Sequence, residues 1–432
     1  MSLSQAVGRL DSLIDWERCA RGQMRADLAP ITDLLYRIGN PERRFRSVHV
    51  TGTKGKGSVC ALVEAGLAHS GWRVGRYASP HIERINERIS HNCELIDDAM
   101  LAKSLTTALD ARTAACDEDT AAAESTWFDV VTAAAFLSFA WAKLDWAVIE
   151  VGLGGRLDST NVIESDIAIV TNVGLEHTEV LGSTVEKIAF EKAGIVKSGS
   201  TLVTSLSPVD GAGRVVYEAA RLCGASIYPV SVNPAATISQ RNWAVARGAL
   251  NALGVREVLS RTRSVAISED DLPDSVASSA SLPGRLERFR VCRESSSREW
   301  IELVVDGAHV GFAVADALIE LRAQPALSAR PVVLLALAAD KDADAIVSRL
   351  VDAAAHVVCS PMPDNRPGWS AEELAAVVTA HTLPASVAGS PRDALHLCLR
   401  MSDAHWILVT GSLYLAGSIR RMLLSDGTVA NG

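Results

Sequence analysis

Thr51-Gly52-Thr53-Lys54-Gly55-Lys56-Gly57-Ser58 sets three glycines and two lysines between a short apolar run and a helix-periodic segment. At such a junction successive backbone N–H groups and the positive helix end can cradle phosphate, and glycines let the backbone approach it closely. Gly57 separates Lys56 from Ser58, so the run departs from the strict G-x-x-x-x-G-K-[ST] pattern. We read it as a phosphate loop in which Lys56 neutralises a transferring phosphate. Ser79, Glu150 and His177 each end or follow an apolar run of strand length, and ligands of open α/β sheets gather beyond the carboxyl ends of strands. The three could converge on one ion. Magnesium takes oxygen ligands, which suits Ser79 and Glu150 better than His177. Taken singly, His177 reads as a loop histidine and Glu150 as a strand-end acid.

These residues need a scaffold, and the pattern supplies one. Short β-rich runs alternate with longer helix-periodic stretches, the mark of βαβ units around a mainly parallel sheet, so the fold class is α/β. Strands are predicted at 47–50, 73–78, 146–151 and 166–171, with a helix over 128–144 and another carrying Val59, Leu62, Val63 and Leu67 on one face until Gly71. From Ser264 to Ser281 Ser, Asp and Glu dominate without periodicity, predicting an exposed connection. After the polar run Arg293-Glu294-Ser295-Ser296-Ser297 a second α/β pattern starts at 301–305 and continues with strands at 331–336, 356–359 and 406–410. The expected division is therefore 1–295, an N-terminal domain of P-loop type with a mainly parallel sheet, and 296–432, a smaller C-terminal α/β domain of Rossmann-like pattern.

The chain has 432 residues, 48% hydrophobic and 22% charged, which suits two packed domains and excludes a disordered or fibrous protein. Lys plus Arg 42 against Asp plus Glu 51 gives a net charge of −9, so no general attraction for nucleic acid or an anionic membrane is expected. Anionic ligands then require a local positive site. Arg9, Asp11, Asp15 and Glu17 interrupt the N-terminus before a signal-peptide core forms, and the apolar stretch 130–142 is too short to span a bilayer. A cytoplasmic, unexported protein is expected. The cysteines Cys19, Cys60, Cys93, Cys116, Cys223, Cys292, Cys359 and Cys398 show no C-x-x-C or zinc-ligand spacing, as for reduced, mostly buried thiols.

Beyond single motifs, VHVTGTKGKGSV, YASPHIERINERI, VIEVGLGGRLDSTNVI, LEHTEVLGSTVEKIAFEKAGIVKSG, LPGR, DGAH, DKD and VTGSLYLAG occur in one order between Ile31 and Gly417. In these segments the chain resembles the folylpolyglutamate synthase and dihydrofolate synthase family of Mur-type ligases, which use ATP to join a carboxylate to an amine. The resemblance implies that Gly52, Thr53, Lys54, Gly55, Lys56, Gly57 and Ser58 hold the ATP phosphates, and that Ser79, Glu150 and His177 hold magnesium. It implies a carbamylated Lys192 serving a second magnesium; a plain lysine paired with Glu191 or Glu186 is the alternative. It further implies that Asn242 meets the adenine end, Arg285 the phosphates and Asp306 the nucleotide, with His309 and Ser412 near ATP and the incoming glutamate. By the same resemblance the protein is a monomer with small-molecule substrates.

The implied reaction explains the residue types. A carboxylate is a poor acyl donor, so the family first transfers the γ-phosphate of ATP to it, bringing two anions together among Lys56, Arg285 and magnesium. L-Glutamate then attacks through its amine, and His309 is a candidate base as well as a candidate nucleotide contact. Dihydropteroate and the γ-carboxylate of a reduced folate are the expected acceptors. Gly154-Gly155-Arg156-Leu157-Asp158 favours an enzyme acting on both. Arg84 and Arg88 could steer the acidic substrate or form surface ion pairs. Placing the phosphate loop on one domain and Asp306, His309 and Ser412 on the other implies closure about a hinge near Arg285. Three positions depart from the family: Val310-Gly311 replaces a usual Asn-Pro, Asp129 a usual Glu and Lys54 a frequent Asn. A Mur-type ligase acting on another carboxylate, or a nucleotide-binding regulator without turnover, are the alternative readings.

Overall fold

The computed structural model describes residues 1–15, 27–293, 299–401, 404–425 and 429–430. Cys19, Glu17 and the expected boundary at Ser295 and Ser296 lie outside them. The chain divides into two compact units, Met1–Ala236 with Gln240–Ala280, and Thr237–Ser239 with Ser281–Gly432. The division falls before, not after, Ser295, and the physical reason is a strand. Glu287–Cys292 pairs antiparallel with Trp300–Val305, Cys292 opposite Trp300, so its backbone hydrogen bonds tie it to the second sheet.

In the first unit the strands are β1 (Arg46–Thr51), β2 (Val74–Tyr77), β3 (Ile89–His91), β4 (Glu94–Leu95), β5 (Trp146–Glu150), β6 (Ile167–Val170), β7 (Thr201–Thr204) and β8 (Ser226–Pro229). Their order is β4-β3-β2-β5-β1-β6-β7-β8, parallel from β2 to β8, with β3 and β4 antiparallel at one edge. Alternation sends successive side chains to opposite faces. Val48, Val50 and Val148 pack with the Lys56–His69 and Ile238–Val255 helices, whereas Ala147 and Ile149 pack with the Trp127–Trp141 helix. Full burial of a side chain such as Phe136 contributes on the order of 2–3 kcal/mol. All four strands predicted in this unit are present within a few residues of their expected ends.

Residues 264–281 differ from expectation. They hold a helix at Asp274–Ser279, and Ile267, Asp271 and Leu272 are buried. Ile267 and Leu272 join the core that contains Val59 and Leu253. Only one apolar residue in three or four is needed to anchor so short a segment, too few to register as periodicity.

The second unit's strands are β9 (Glu287–Cys292), β10 (Trp300–Val305), β11 (Val332–Leu335), β12 (His356–Cys359), β13 (Ala385–Val387), β14 (Trp406–Thr410) and β15 (Val429–Ala430). The order is β13-β12-β11-β14-β10-β9-β15, parallel from β13 to β10. This is the expected smaller α/β sheet. No described helix is long and apolar enough to cross a membrane, and no disulfide joins the described cysteines.

Candidate active site

β2, β5, β1 and β6 are neighbours, so the residues that follow their carboxyl ends share one edge of the sheet. The loop after β1 turns into the Lys56–His69 helix through Gly55, whose φ of 78° lies in the left-handed region. A Cβ there would also stand 2.1 Å from Asn242 Oδ1, so glycine is required twice over. Asn242 is buried and touches the phosphate loop. Lys56 Nζ donates to the Gly52 carbonyl at 3.0 Å, which keeps its charge folded over the loop.

The loop is braced from β6. Thr171 Oγ1 donates to the Lys54 carbonyl at 2.6 Å, and Asn172 Nδ2 donates to the same oxygen at 3.0 Å. Asn172 Oδ1 accepts from Lys54 N at 2.9 Å, and Thr53 N donates to the Asn172 carbonyl at 3.1 Å. Thr171 and Asn172 escaped the sequence reading. Their signal was their place, two polar residues directly after the apolar run 167–170, ahead of the His177 that drew attention.

Ser79 and Glu150 are brought together: Ser79 N donates to Glu150 Oε2 at 3.2 Å, and Glu150 is buried. His177, exposed and with φ 45°, precedes a short helix at Thr178–Leu181. Among the described residues no group of three or more His, Cys, Asp and Glu side chains is set to hold a metal ion. The Ser79 hydroxyl and Glu150 carboxylate are hard oxygen donors, so the pair fits a magnesium ion that takes its remaining ligands from phosphate and water.

Lys192 is 1% exposed, and its ammonium pairs with Glu176 Oε1 at 2.5 Å. The pairing is with Glu176, not with Glu191 or Glu186; Glu191 instead accepts from Arg156 at 2.9 Å. Burial pushes the Lys192 pKa down to about 8, against the pull of Glu176 and with further help from Lys56. Burial alone would raise Glu176, yet Lys192, Lys56 and His177 bring it below the ordinary carboxylate range. Lys56, Glu176, His177 and Lys192 therefore feel one another's charge. Glu176 left no trace in spacing, because its partner stands sixteen residues away.

The remaining residues of this unit separate. Arg84 is exposed and pairs with Asp98 at 2.7 Å, a surface ion pair. Arg88 is 1% exposed, donates to His81 Nδ1 at 2.9 Å and lies 4.6 Å over the Trp127 ring, so it is not a surface group. Asp129 accepts from Thr126, the N-cap of its helix, closing a capping box, and from Ser159 Oγ at 2.6 Å.

In the second unit Asp306 stands at the end of β10. Its Oδ1 accepts from Ala308 N at 2.9 Å and its Oδ2 from Leu286 N at 3.0 Å, so it ties the loop around the exposed Arg285 to the loop before His309. His309 Nδ1 lies 2.9 Å from the Gly307 carbonyl. A carbonyl can only accept, so Nδ1 carries the proton and Nε2 the lone pair. Burial lowers the His309 pKa and Lys341 and Arg285 lower it further, outweighing the Gly307 hydrogen bond and Asp340, which favours the neutral ring. Ser412 Oγ accepts from Tyr414 N at 3.2 Å and caps the helix that follows β14. At the departure Val310-Gly311, a Cβ on Gly311 would stand 2.4 Å from the Ala345 carbonyl. Gly311 is what lets the Gly311–Arg322 and Ala343–Leu350 helices approach so closely.

Comparison with known proteins agrees across both units. Residues 50–244 match the Mur ligase middle domain and residues 284–413 the Mur ligase glutamate ligase domain. The chain is 40% identical to the dihydrofolate synthase/folylpolyglutamate synthase of Bacillus subtilis over 199 residues, a stretch spanning 46% of either chain. It is 31% identical to the folylpolyglutamate synthase of Lacticaseibacillus casei over 424 residues, covering 91% of this chain and 94% of that one. The structure of E. coli FolC in complex with DHPP and ADP superposes with a TM-score of 0.80 at 26% identity, covering 99% of each chain. By these likenesses and by its own phosphate loop, the chain belongs to the folylpolyglutamate synthase/dihydrofolate synthase family of Mur-type ligases.

Proposed function

We propose that this protein is an ATP-dependent ligase that adds L-glutamate to dihydropteroate and to the γ-carboxylate of a reduced folate, releasing ADP and phosphate. The observation that carries this reading is the braced phosphate loop with Lys56 beside the Ser79–Glu150 pair, on adjacent strand ends. A carboxylate oxygen of the acceptor attacks the γ-phosphorus, the bond to ADP breaks, and an acyl phosphate results. The glutamate amine then displaces phosphate, and the amine's proton leaves with a base. Lys56, Arg285 and the loop amides hold the phosphate charge; Asn242 and Asp306 hold the rest of the nucleotide. A divalent cation at Ser79, Glu150 and His177 would supply charge neutralisation during the transfer.

His309, neutral and with Nε2 unprotonated, is the group suited to take the amine's proton. Lys192 supports the finer reading of a carbamate. Its pKa of about 8 leaves a fraction of neutral amine at pH 7.5, and that amine can attack carbon dioxide, forming an N–C bond and releasing one proton. The product is an anionic oxygen ligand in place of a cation, fit for a second magnesium. Electron density beyond Lys192 Nζ in crystals grown with bicarbonate checks this; a bare amine at full bicarbonate would refute it.

The function is tested by incubating the purified chain with ATP, magnesium, L-glutamate and either dihydropteroate or tetrahydrofolate. Phosphate release and a glutamylated product are expected with both acceptors. No release with either would overturn the folate assignment, and release with a different carboxylate would favour another Mur-type activity.

A further inference from the structure

A surface helix turns its apolar residues inward and its acids outward. The Gly311–Arg322 helix reverses this at one place. Val314, Leu318 and Leu321 are buried as expected, but Ile319 is 63% exposed and the adjacent Glu320 only 8%. Taking a carboxylate out of water is unfavourable unless it gains a partner. Here the partner is a backbone group: Glu320 Oε2 accepts from Ser239 N at 3.2 Å. A local break with the helical pattern marks a residue held for its position.

Ser239 lies in the first turn of the Ile238–Val255 helix, where backbone N–H groups have no acceptor inside the helix and the positive end favours an anion. Ser239 and Glu320 both belong to the second unit, yet from Gln240 onward the same helix belongs to the first. Packing does not fix this turn. Residues 238–241 are not buried, and the helix joins the apolar core only from Val245 on. Hydrogen bonds fix it instead. Arg241 Nη2 and Nε donate to the Pro234 and Ala236 carbonyls at 2.5 and 3.0 Å, holding the preceding loop to the helix, while Glu320 holds the turn itself.

Asn242 follows Ser239 by three residues, about 4.5 Å along the axis and on a neighbouring part of the helix surface. Its Oδ1 stands so near Gly55 that one carbon added there would collide with it. Groups that bind must be held to about 0.5 Å of their productive geometry, so whatever fixes the first turn also fixes Asn242.

We propose that Glu320 is a positioning residue for the nucleotide: it clips the first turn of the Ile238–Val255 helix and so sets Asn242 against the phosphate loop. One acid of the second unit thereby governs the affinity for ATP rather than for the amino acid. The inference rests on the ligase reading, which makes Asn242 a nucleotide contact.

Steady-state kinetics of the full chain test this with Glu320→Ala and Glu320→Gln. Glu320→Ala should raise the KM for ATP about fivefold and leave kcat and the KM for L-glutamate within about twofold, because the lost hydrogen bond acts on binding through Asn242. Glu320→Gln keeps an acceptor for Ser239 N and should recover most of the loss. In an Asn242→Ala background Glu320→Ala should have no further effect on the KM for ATP. An unchanged ATP KM, additive effects of the two substitutions, or a rise in the glutamate KM instead would overturn the assignment. Should wild type show no ligation at all, the ligase reading falls separately. Calorimetric titration with ADP, which needs no turnover, then decides the clip by itself. Weaker binding to Glu320→Ala than to wild type and Glu320→Gln supports it; equal affinity, or no binding to any of them, refutes it.

Discussion

The two units present cations at comparable places, the carboxyl edges of parallel sheets, and treat them differently. In the first unit Lys56 rests on the Gly52 carbonyl and Lys192 on Glu176, and the phosphate loop is fastened by Thr171 and Asn172. In the second, Asp306 fastens loops through backbone N–H groups, while Arg285 is exposed and Arg366 meets only an aromatic ring. The first edge is preorganised around a charge it expects at a fixed position, which is how electrostatic stabilisation of a transferring phosphate costs least at the moment of reaction. The second edge keeps its donors uncommitted, as suits groups that must find a substrate.

Removing Lys56 attacks the stronger side of that contrast. Lys56→Ala should lower kcat/KM for ATP by about a thousandfold or more, because the charge acts where phosphate develops it. Phosphate release assays measure this, and a loss under tenfold would mean the lysine is not aimed at the nucleotide. Next in size, Gly55→Ala combines a left-handed φ with a collision against Asn242, and should destabilise the first unit by about 1–3 kcal/mol while raising the KM for ATP. Denaturant titration with nucleotide kinetics checks both effects together.

His49 sharpens the comparison through pH. It is buried on β1, the strand that leads into the phosphate loop; its Nε2 lies 2.9 Å from Thr160 Oγ1, and burial pulls its pKa to about 3, with Lys197 adding to the shift. The unfolded chain binds a proton near pH 6.5 and the folded chain does not, so this group's contribution to stability is complete above pH 6.5 and is lost as pH falls toward 3. Between pH 7 and pH 5 the loss should be roughly 2 kcal/mol. His49→Gln should be less stable at pH 7 but show a shallower fall, read from urea midpoints at the two values. A parallel fall in both proteins would mean that His49 titrates normally in the fold. The smallest effect belongs to the second unit: Ser412→Ala removes a helix cap and costs about 1 kcal/mol, read from the urea midpoint.

How far the sequence carried the account can be seen at particular residues. The strand ends that carry the phosphate loop, Ser79 and Glu150 were legible because apolar runs of β type stop at polar residues, whereas the bracing Thr171 and Asn172 beyond the run 167–170 were not. The division between the units falls earlier than expected because β9 has only two inward apolar residues, Phe289 and Val291, set between the outward Arg288 and Arg290, and so lacks the continuous apolar run by which the other strands were read. The Lys192–Glu176 pair was not legible, since it joins a helix to a loop and no local period connects them. Arg88 illustrates the converse. As a sequence letter it is a surface cation, and only the fold places Trp127 and His81 around it. Val310-Gly311, a departure from the family in sequence, acquires a reason once Ala345 is seen against Gly311.

The central claim is that Lys56 and its loop turn an inert carboxylate into an acyl phosphate. Ligation with an acceptor whose carboxylate is labelled with oxygen-18 tests it most directly. One labelled oxygen should appear in the released phosphate for each amide formed. Product formed with the lost oxygen released as water, and no label in phosphate, would contradict the account.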